Sequence, residues 1–281
     1  MKLVRFSIDG KTAPGRIEGD RVIDLSAFAP TGSMRELLTI LPEQRAAVAA
    51  CNGPSHALSD VRLEAPITDP QKFLGLGMNY KAHAKEAEAA GIPTPTSQLW
   101  FNKQVSCITG PHDPVVYPAV SEKLDYEGEL AVVIGKRCRR VSAADARGVI
   151  AGYMVANDVS ARDWQFRAQT FTLGKSFDTH GPIGPWIVTD DEIADPHALT
   201  LSLTVNGEQR QRTSTGDMIY SIYDQIEYLS TVMTLEPGDI LSTGTPSGVG
   251  ISIGKLLQVG DVVRVEIDGI GAIENTIVAD K

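Results

Sequence analysis

The first residues alternate apolar and polar positions in short runs, "KLVRFSI", "PGRIEGD" and "RVIDLS", separated by Gly and Asp turn signals such as "DGK". A period of two between such turns predicts a small β-meander. In "SMRELLTILPEQRAAVAACNG" the apolar spacing lengthens to that of a helix, which predicts one helix with a stop at Gly53. Two prolines among polar residues then mark "LEAPITDPQ", Leu63 to Gln71, as a linker. The domain boundary is placed near residue 66, which divides the chain into 1–65 and 66–281.

Beyond that boundary a short apolar strand, "KFLGLG", leads into a helix, "NYKAHAKEAEAAG", and a Pro-rich loop, "IPTPTSQ". Strand patterns follow in "LWFNKQVSCI", "LDYEGELAVVIGK", "AGYMVANDVS", "GPWIVT", "LTLSLTVNGE", "GDILSTG" and "DVVRVEIDGIG". Helices are expected at "SAADARGVI" and "SIYDQIEYLSTVM". No repeat of fixed period and no low-complexity tract occurs. The predicted fold class is α/β in the strand-rich, α+β sense, with a small N-terminal β/α module ahead of a larger mixed domain.

Composition narrows the function classes. At 281 residues the chain can bury a substantial core, and 42% hydrophobic with 22% charged residues is ordinary for a soluble globular protein. A net charge of -9 argues against nucleic acid and anionic membranes as partners, because binding to phosphate needs clustered Lys and Arg. The one dense basic run, "KRCRR", is expected to be a solvated turn. Cys51, Cys107 and Cys138 are odd in number and widely spaced, which suggests neither a disulfide frame nor a zinc site and fits a reducing cytoplasm. No signal-peptide run opens the chain, and no stretch approaches the roughly 20 apolar residues of a membrane span.

The chemistry concentrates in "LDYEGELAVVIGK", where Glu127 and Glu129 enter an otherwise apolar strand. Alternation turns both side chains to one face and Gly128 to the other. Burying two carboxylates together is costly unless a cation neutralises them. Asp158, at the end of the apolar run "AGYMVANDVS", can be aimed at the same point. Three carboxylates without His or Cys favour Mg²⁺, Mn²⁺ or Ca²⁺ over Zn²⁺. On spacing alone, a solvated sheet face paired with surface Lys or Arg also accounts for the two glutamates.

Other polar groups add candidates. His83 and Glu86 in "NYKAHAKE" lie three apart on the expected helix, so the carboxylate can orient the imidazole as a general base, although a surface pair has the same spacing. Lys175 of "TLGKSFDTHGPIGP" can hold a substrate carboxylate or an enolate oxygen, or be a solvated loop lysine; His180 of the same loop is expected to be structural. The glycine-rich "PGDILSTGTPSGVG" can cradle an anion through its N–H groups and Thr243 or Thr245. "FLGLGMNY" places Gly75 and Gly77 between a strand and a helix, but Tyr80 stands at the third glycine position, so a dinucleotide fold is rejected. No G-x-S-x-G elbow supports serine hydrolase chemistry.

Taken jointly and in order, "GLGMNYKAHAKE", "LWFNK", "LDYEGELAVVIGK", "GYMVANDVSARDWQ", "LGKSFDTHGPIGP", "VNGE" and "LEPGDILSTGTPSGVG" resemble the fumarylacetoacetate hydrolase family from about residue 73 to the C-terminus. The resemblance implies a mixed β-roll catalytic domain in which Glu127, Glu129 and Asp158 bind one Mg²⁺ or Mn²⁺. It implies a lid helix carrying His83 and Glu86, with Lys175 on the substrate or its enolate. Arg162, Gln165 and Thr245 are implied as substrate-binding residues, with Lys103 as a further pocket candidate. Fumarylacetoacetases proper carry another metal-binding aspartate just before the lid histidine; "FLGLGMNY" has no acid, which points to the shorter prokaryotic acylpyruvate-hydrolase branch.

The implied activity is hydrolysis of the C–C bond of a 2,4-dioxo acid, such as an acylpyruvate, fumarylpyruvate or a diketo-deoxy sugar acid, by way of a pyruvate enolate. The same apparatus serves oxaloacetate decarboxylation or isomerisation of a 2-hydroxy-dienedioate. A metal-dependent 2-oxo acid binding protein without turnover is the alternative of another class, and the presence of His83, Glu86 and Lys175 speaks against it. The expected partners are a small-molecule 2-oxo acid and, by resemblance, a second copy in a homodimer.

Overall fold

The strand Gly128–Ile134 is buried at every position, because it lies centrally in one sheet and is covered on both faces. The computed structural model describes residues 1–280 apart from positions 90 and 92. Among the described residues the larger sheet runs, neighbour to neighbour, through Ser55–Ala57, Arg21–Asp24, Lys11–Glu18, Lys2–Ile8, Gly181–Thr189, Ile150–Asn157, Gly128–Ile134, Ile240–Ser242, Phe73–Gly77 and Leu99–Lys103. The smaller sheet orders Glu208–Ser214, Thr200–Val205, Val262–Ile267, Gly271–Ala279 and Val115–Tyr117. The result is the mixed, strand-rich α/β architecture expected from the sequence.

Alternation divides the central strands between two cores. Leu130, Val132 and Ile134, with Tyr153 and Val155, pack against Leu201, Leu203, Val263 and Val265 of the smaller sheet. Ala131, Val133, Met154 and Ala156 face the other way and meet Met34, Leu37, Leu38 and Leu41 of the helix Met34–Ala49. Each fully buried Leu, Val or Ile stabilises the fold by about 1.5–3 kcal/mol. These faces therefore set the register: a slip of one residue would exchange the two cores. Glu129 shares the face of Ala131 and Val133, and Asp158 continues the row of Met154 and Ala156 past the strand end.

The N-terminal segment is tied into this frame. Lys2–Ile8 pairs antiparallel with Gly181–Thr189, Leu3 opposite Ile187, so the expected meander extends the main sheet. The helix Met34–Ala49 starts at Ser33, whose hydroxyl accepts from the Arg35 N–H, and carries an irregular residue at Gln44 just after Pro42. It ends at Ala49 rather than at Gly53; a Cβ at Gly53 would sit 2.4 Å from the Asp24 carbonyl oxygen, so that glycine serves close chain approach.

Other expectations met different outcomes. "SAADARGVI" forms only a short 3₁₀ turn, Ala146–Val149, before the chain becomes the strand Ile150–Asn157. Glu208–Ser214, too polar to read as a strand, is the edge of the smaller sheet, where one face needs no apolar cover. The helix Ile222–Val232 appears as expected, closed by a capping box between Ser221 and Asp224. The expected lid helix is Lys81–Ala89; its next residue, Ala90, and Ile92 of the Pro-rich loop lie outside the described residues. No helix among the described residues is long and apolar enough to cross a membrane.

Where Ile150–Asn157 crosses Gly181–Thr189, a Cβ on Gly152 would stand 2.1 Å from the Val188 carbonyl oxygen. Gly152→Ala is expected to destabilise the protein by about 1–3 kcal/mol, the usual range for overpacking, or more because backbone is struck. Urea denaturation should show a lowered midpoint with an unchanged slope; an unshifted midpoint would mean the strands part without cost.

Candidate active site

Glu127, Glu129 and Asp158 converge, each offering a carboxylate oxygen within 4.8 Å of the others, and all three are buried. The turn is fixed by the backbone. The Glu127 N–H donates to Asn157 Oδ1 at 3.0 Å, and the Asp158 N–H donates to the Glu127 carbonyl at 2.9 Å. Gly128 faces away, since a Cβ there would lie 3.1 Å from Val265 and 3.2 Å from Leu203 in the opposite core. The alternation read from "YEGE" is thus the geometry found.

The three acids differ in their counter-charges. Lys175 Nζ donates to Glu127 Oε2 at 2.7 Å and to Asp158 Oδ2 at 2.8 Å. Arg162 Nη1 stands 2.6 Å from Glu127 Oε1, and Lys103 Nζ donates to Asp158 Oδ1 at 2.6 Å. Burial alone would raise the Glu127 carboxyl, but Lys175 and Arg162 outweigh it and hold that group well below the usual carboxylate range. Glu129 has no such cation: its Oε2 accepts from the Ser242 hydroxyl and, at 3.0 Å, from the Gly244 N–H. Burial, followed by the charges of Asp158 and Glu127, pushes its carboxyl up to about 8.

Among the described residues no donor reaches Glu129 Oε1. An all-oxygen, buried donor set with one acid lacking a counter-charge fits a hard divalent cation, which would be held by Glu127, Glu129 and Asp158.

Of the three acids Glu127 lines a cavity of about 270 Å³, with Glu129 and Asp158 packed beneath it. Glu127, Arg162, Gln165, Lys175, Thr245 and His83 all line it. On the helix Lys81–Ala89, His83 Nδ1 lies 3.0 Å from Glu86 Oε2, and Glu86 Oε1 accepts from the Gly248 N–H at 3.2 Å. Burial would raise the Glu86 carboxyl; the bonds from His83 and Gly248 more than offset it and leave the group below its ordinary value. The helix and the glycine-rich loop are thereby joined through one carboxylate.

Lys103 is placed elsewhere than the expected pocket wall. Its ammonium is spent on Asp158, the Lys175 carbonyl and the His180 carbonyl, so it stands behind the carboxylates and does not line the cavity. Thr245 lines the cavity, but its hydroxyl donates to the Gly128 carbonyl at 3.0 Å and accepts from Gln211 Nε2 at 2.9 Å, which fixes the loop beside the acids.

Sequence reasoning missed Asp125, two residues before Glu127. Its side chain is fully buried, receives Arg162 Nε at 2.8 Å, and accepts from the N–H groups of Gly250 and Ile251. It therefore aims Arg162 at Glu127. The "LDYEGE" stretch carried the signal, an acid next to the apolar strand, but no partner could be assigned before the chain was folded. Met78 and Phe171, also missed, line the cavity with φ of 53° and 60°, a backbone region that non-glycine residues seldom occupy.

Comparison with known proteins gives the family. Residues 72–278 match the model described as fumarylacetoacetate (FAA) hydrolase, C-terminal, and residues 1–66 match Rv2993c-like, N-terminal. The chain belongs to the fumarylacetoacetate hydrolase family. A relative within reach of sequence is the mitochondrial oxaloacetate tautomerase fahd2 of Xenopus laevis, 42% identical over 99% of this chain and 90% of that protein. Maleylpyruvate hydrolase from Sphingobium sp. SYK-6, solved with manganese(II) and pyruvate, superposes with a TM-score of 0.85 at 34% identity over all of both chains. The 2-hydroxyhepta-2,4-diene-1,7-dioate isomerase of Mycobacterium marinum gives 0.81 at 37% identity over 100% of this chain and 99% of that one. Hydrolases, isomerases and a tautomerase thus share the family frame.

His180, expected to be structural, is fully buried and sits behind the site. Its Nε2 lies 3.0 Å from the Val116 carbonyl and donates to it, while Nδ1 is buried without a partner. Burial holds the ring down at about 4, with the Val116 bond acting the other way. Because the unfolded chain takes up this proton near pH 6.5, the neutral ring's contribution to stability is complete above about 6.5 and is lost as pH falls from there through about 4. His180→Gln should flatten that part of the acid limb; urea midpoints at pH 7.5 and 4.5 that differ as much as in the parent protein would contradict the assignment.

Proposed function

We propose that the protein is a divalent-metal-dependent hydrolase that cleaves the C–C bond of an acylpyruvate-type 2,4-dioxo acid. The observation that carries this reading is the buried acid cluster, in which Glu129 has no counter-cation among the described residues, opening through Glu127 onto a cavity also lined by His83, the partner of Glu86. Glu127, Glu129 and Asp158 would hold a Mg²⁺ or Mn²⁺ ion, which would supply Lewis-acid stabilisation of developing enolate charge.

The chain's own groups divide the remaining work. Arg162 lines the cavity and its Nη2 is buried without a hydrogen-bond partner among the described residues, so a substrate carboxylate or carbonyl oxygen is the group assigned to it. Gln165 accepts from Arg162 Nη1 at 2.8 Å, which orients its amide beside the same substrate group. Lys175 carries positive charge to the floor, where negative charge develops on the leaving enolate.

Glu86, kept ionised by its two donors, fixes the His83 tautomer with the proton on Nδ1. Nε2 is then free to take a proton from the water that attacks the C4 carbonyl. The same base can instead move a proton at C3, which is the chemistry of a tautomerase. The 42% identity to the Xenopus laevis oxaloacetate tautomerase favours keeping that second reading. Product identity separates them: two fragments for hydrolysis, one rearranged molecule for tautomerisation.

His83→Ala is expected to lower kcat by about 10²–10⁴-fold, the usual contribution of a general base. Titration calorimetry should find Mn²⁺ binding unaltered in that variant, whereas Glu129→Gln should lose it. Unchanged turnover in the His83 variant would remove the base assignment; unchanged Mn²⁺ affinity in the Glu129 variant would remove the metal site.

A further inference from the structure

The cavity changes character from floor to mouth. Its Lys and Arg lining, among the described residues, is Arg162 and Lys175, both already engaged with the acids. Lys175 Nζ stands 5.1 Å from the centre of the Phe101 ring, so apolar wall begins directly above the floor. Phe171 meets Phe101 edge-on, with ring centres 6.2 Å apart. Leu99 and Val249 continue that wall. Phe166 and Ile251 also line the cavity, yet remain 56% and 39% exposed, which puts them at its mouth. A path from Glu127 to solvent therefore runs largely between aliphatic and aromatic side chains, with Thr245 and Ser252 as its neutral polar breaks.

We propose that the substrate is a monocarboxylate whose tail beyond the fourth carbon is apolar, an alkanoyl or aroyl group in place of a second acid. The proposal rests on the reading of the floor as the 2-oxo acid site. The single substrate carboxylate goes to Arg162 Nη2, which is buried and has no partner among the described residues. A second carboxylate at the far end would be stripped of water among Leu99, Phe171 and Val249 and, among the described lining residues, would meet no Lys or Arg beyond Arg162 and Lys175, which are held at the acids. An apolar tail gains there for the same reason, by covering wall that is otherwise wet. A fixed aromatic path of this kind selects by what it fails to solvate, not by an added contact.

The test compares two non-hydrolysable acids of equal length, 2-oxohexanoate and 2-oxoadipate, by calorimetry on the full chain with saturating Mn²⁺. They differ only in a terminal methyl or carboxylate, and neither requires turnover, so the outcome is independent of whether the enzyme hydrolyses or tautomerises. The expectation is at least tenfold tighter binding of 2-oxohexanoate, or about 1.4 kcal/mol. Leu99→Arg, which places a cation in the wall, should shrink that ratio or reverse it. Equal affinities, or tighter binding of 2-oxoadipate to the parent protein, would overturn the apolar-tail assignment while leaving the 2-oxo acid site intact. If neither acid binds, the 2-oxo acid reading fails and the apolar tail fails with it.

Discussion

Carboxylates can share a volume closed to water only if positive charge shares it too, and the arrangement around Glu127, Glu129 and Asp158 follows from that constraint. Lys175 bridges two of the acids, while Arg162 and Lys103 each hold one from the side away from it. The third acid is met only by neutral donors, Ser242 and the Gly244 N–H, which satisfy an oxygen without cancelling its charge. The imbalance is local and directional. It leaves Glu129 as the one member of the set whose ionisation depends on something further arriving, the property expected of a site built to take a divalent cation.

The scaffold makes that imbalance tolerable by holding every participant on a separate, rigid element. Glu129 stands on Gly128–Ile134, Ser242 on Ile240–Ser242, and Asp158 directly after Ile150–Asn157, three neighbouring strands of one sheet. Lys103 comes from the edge strand Leu99–Lys103, and Lys175 from a short turn on the other side. Glu129, Ser242 and Lys103 sit on paired strands, so their backbones cannot shift toward a better charge balance without breaking ladder hydrogen bonds. Two glycines permit the crowding. A Cβ on Gly174 would strike Gln165 backbone at 2.3 Å, and Gly244, at φ +100°, passes so close to Asn79 and Leu76 that a side chain would collide with both.

Much of this was legible before folding, and what was not had a physical reason. Period-two alternation in "YEGELAVVI" sufficed to place both glutamates on one face, because a strand buried on both sides leaves its residues no third direction. The His83–Glu86 pair was legible because a helix fixes its own short-range neighbours. Lys103 was not: "LWFNK" says that a lysine ends a strand, but whether its ammonium enters the cavity or stands behind Asp158 depends on carbonyls at 175 and 180. Asp125 was hidden for a similar reason, its partners being 37 and 125 positions away. Gly75 and Gly77 looked like part of a nucleotide loop, yet a Cβ on Gly75 would sit 2.4 Å from the Phe101 ring, so that glycine makes room for the aromatic wall. Local pattern specifies faces and neighbours; long-range pairing decides which polar group meets which.

The N-terminal segment takes part in the site without touching it. Glu129, Ala131 and Val133 lie on one face of one strand, and the apolar end of that face is sealed by Leu37, Leu38 and Leu41 from the helix Met34–Ala49. Without that cover, water would reach the face of the sheet on which Glu129 stands, and the mutual repulsion of the acids and their pull on a cation would both weaken with the rise in local dielectric. The pairing of Lys2–Ile8 with Gly181–Thr189, together with the bond from the Met1 amino group to Thr189 Oγ1 at 2.6 Å, holds the helix-bearing segment in place. Residues 1–66, although they carry none of the reacting groups, thus help to set the dielectric in which those groups act.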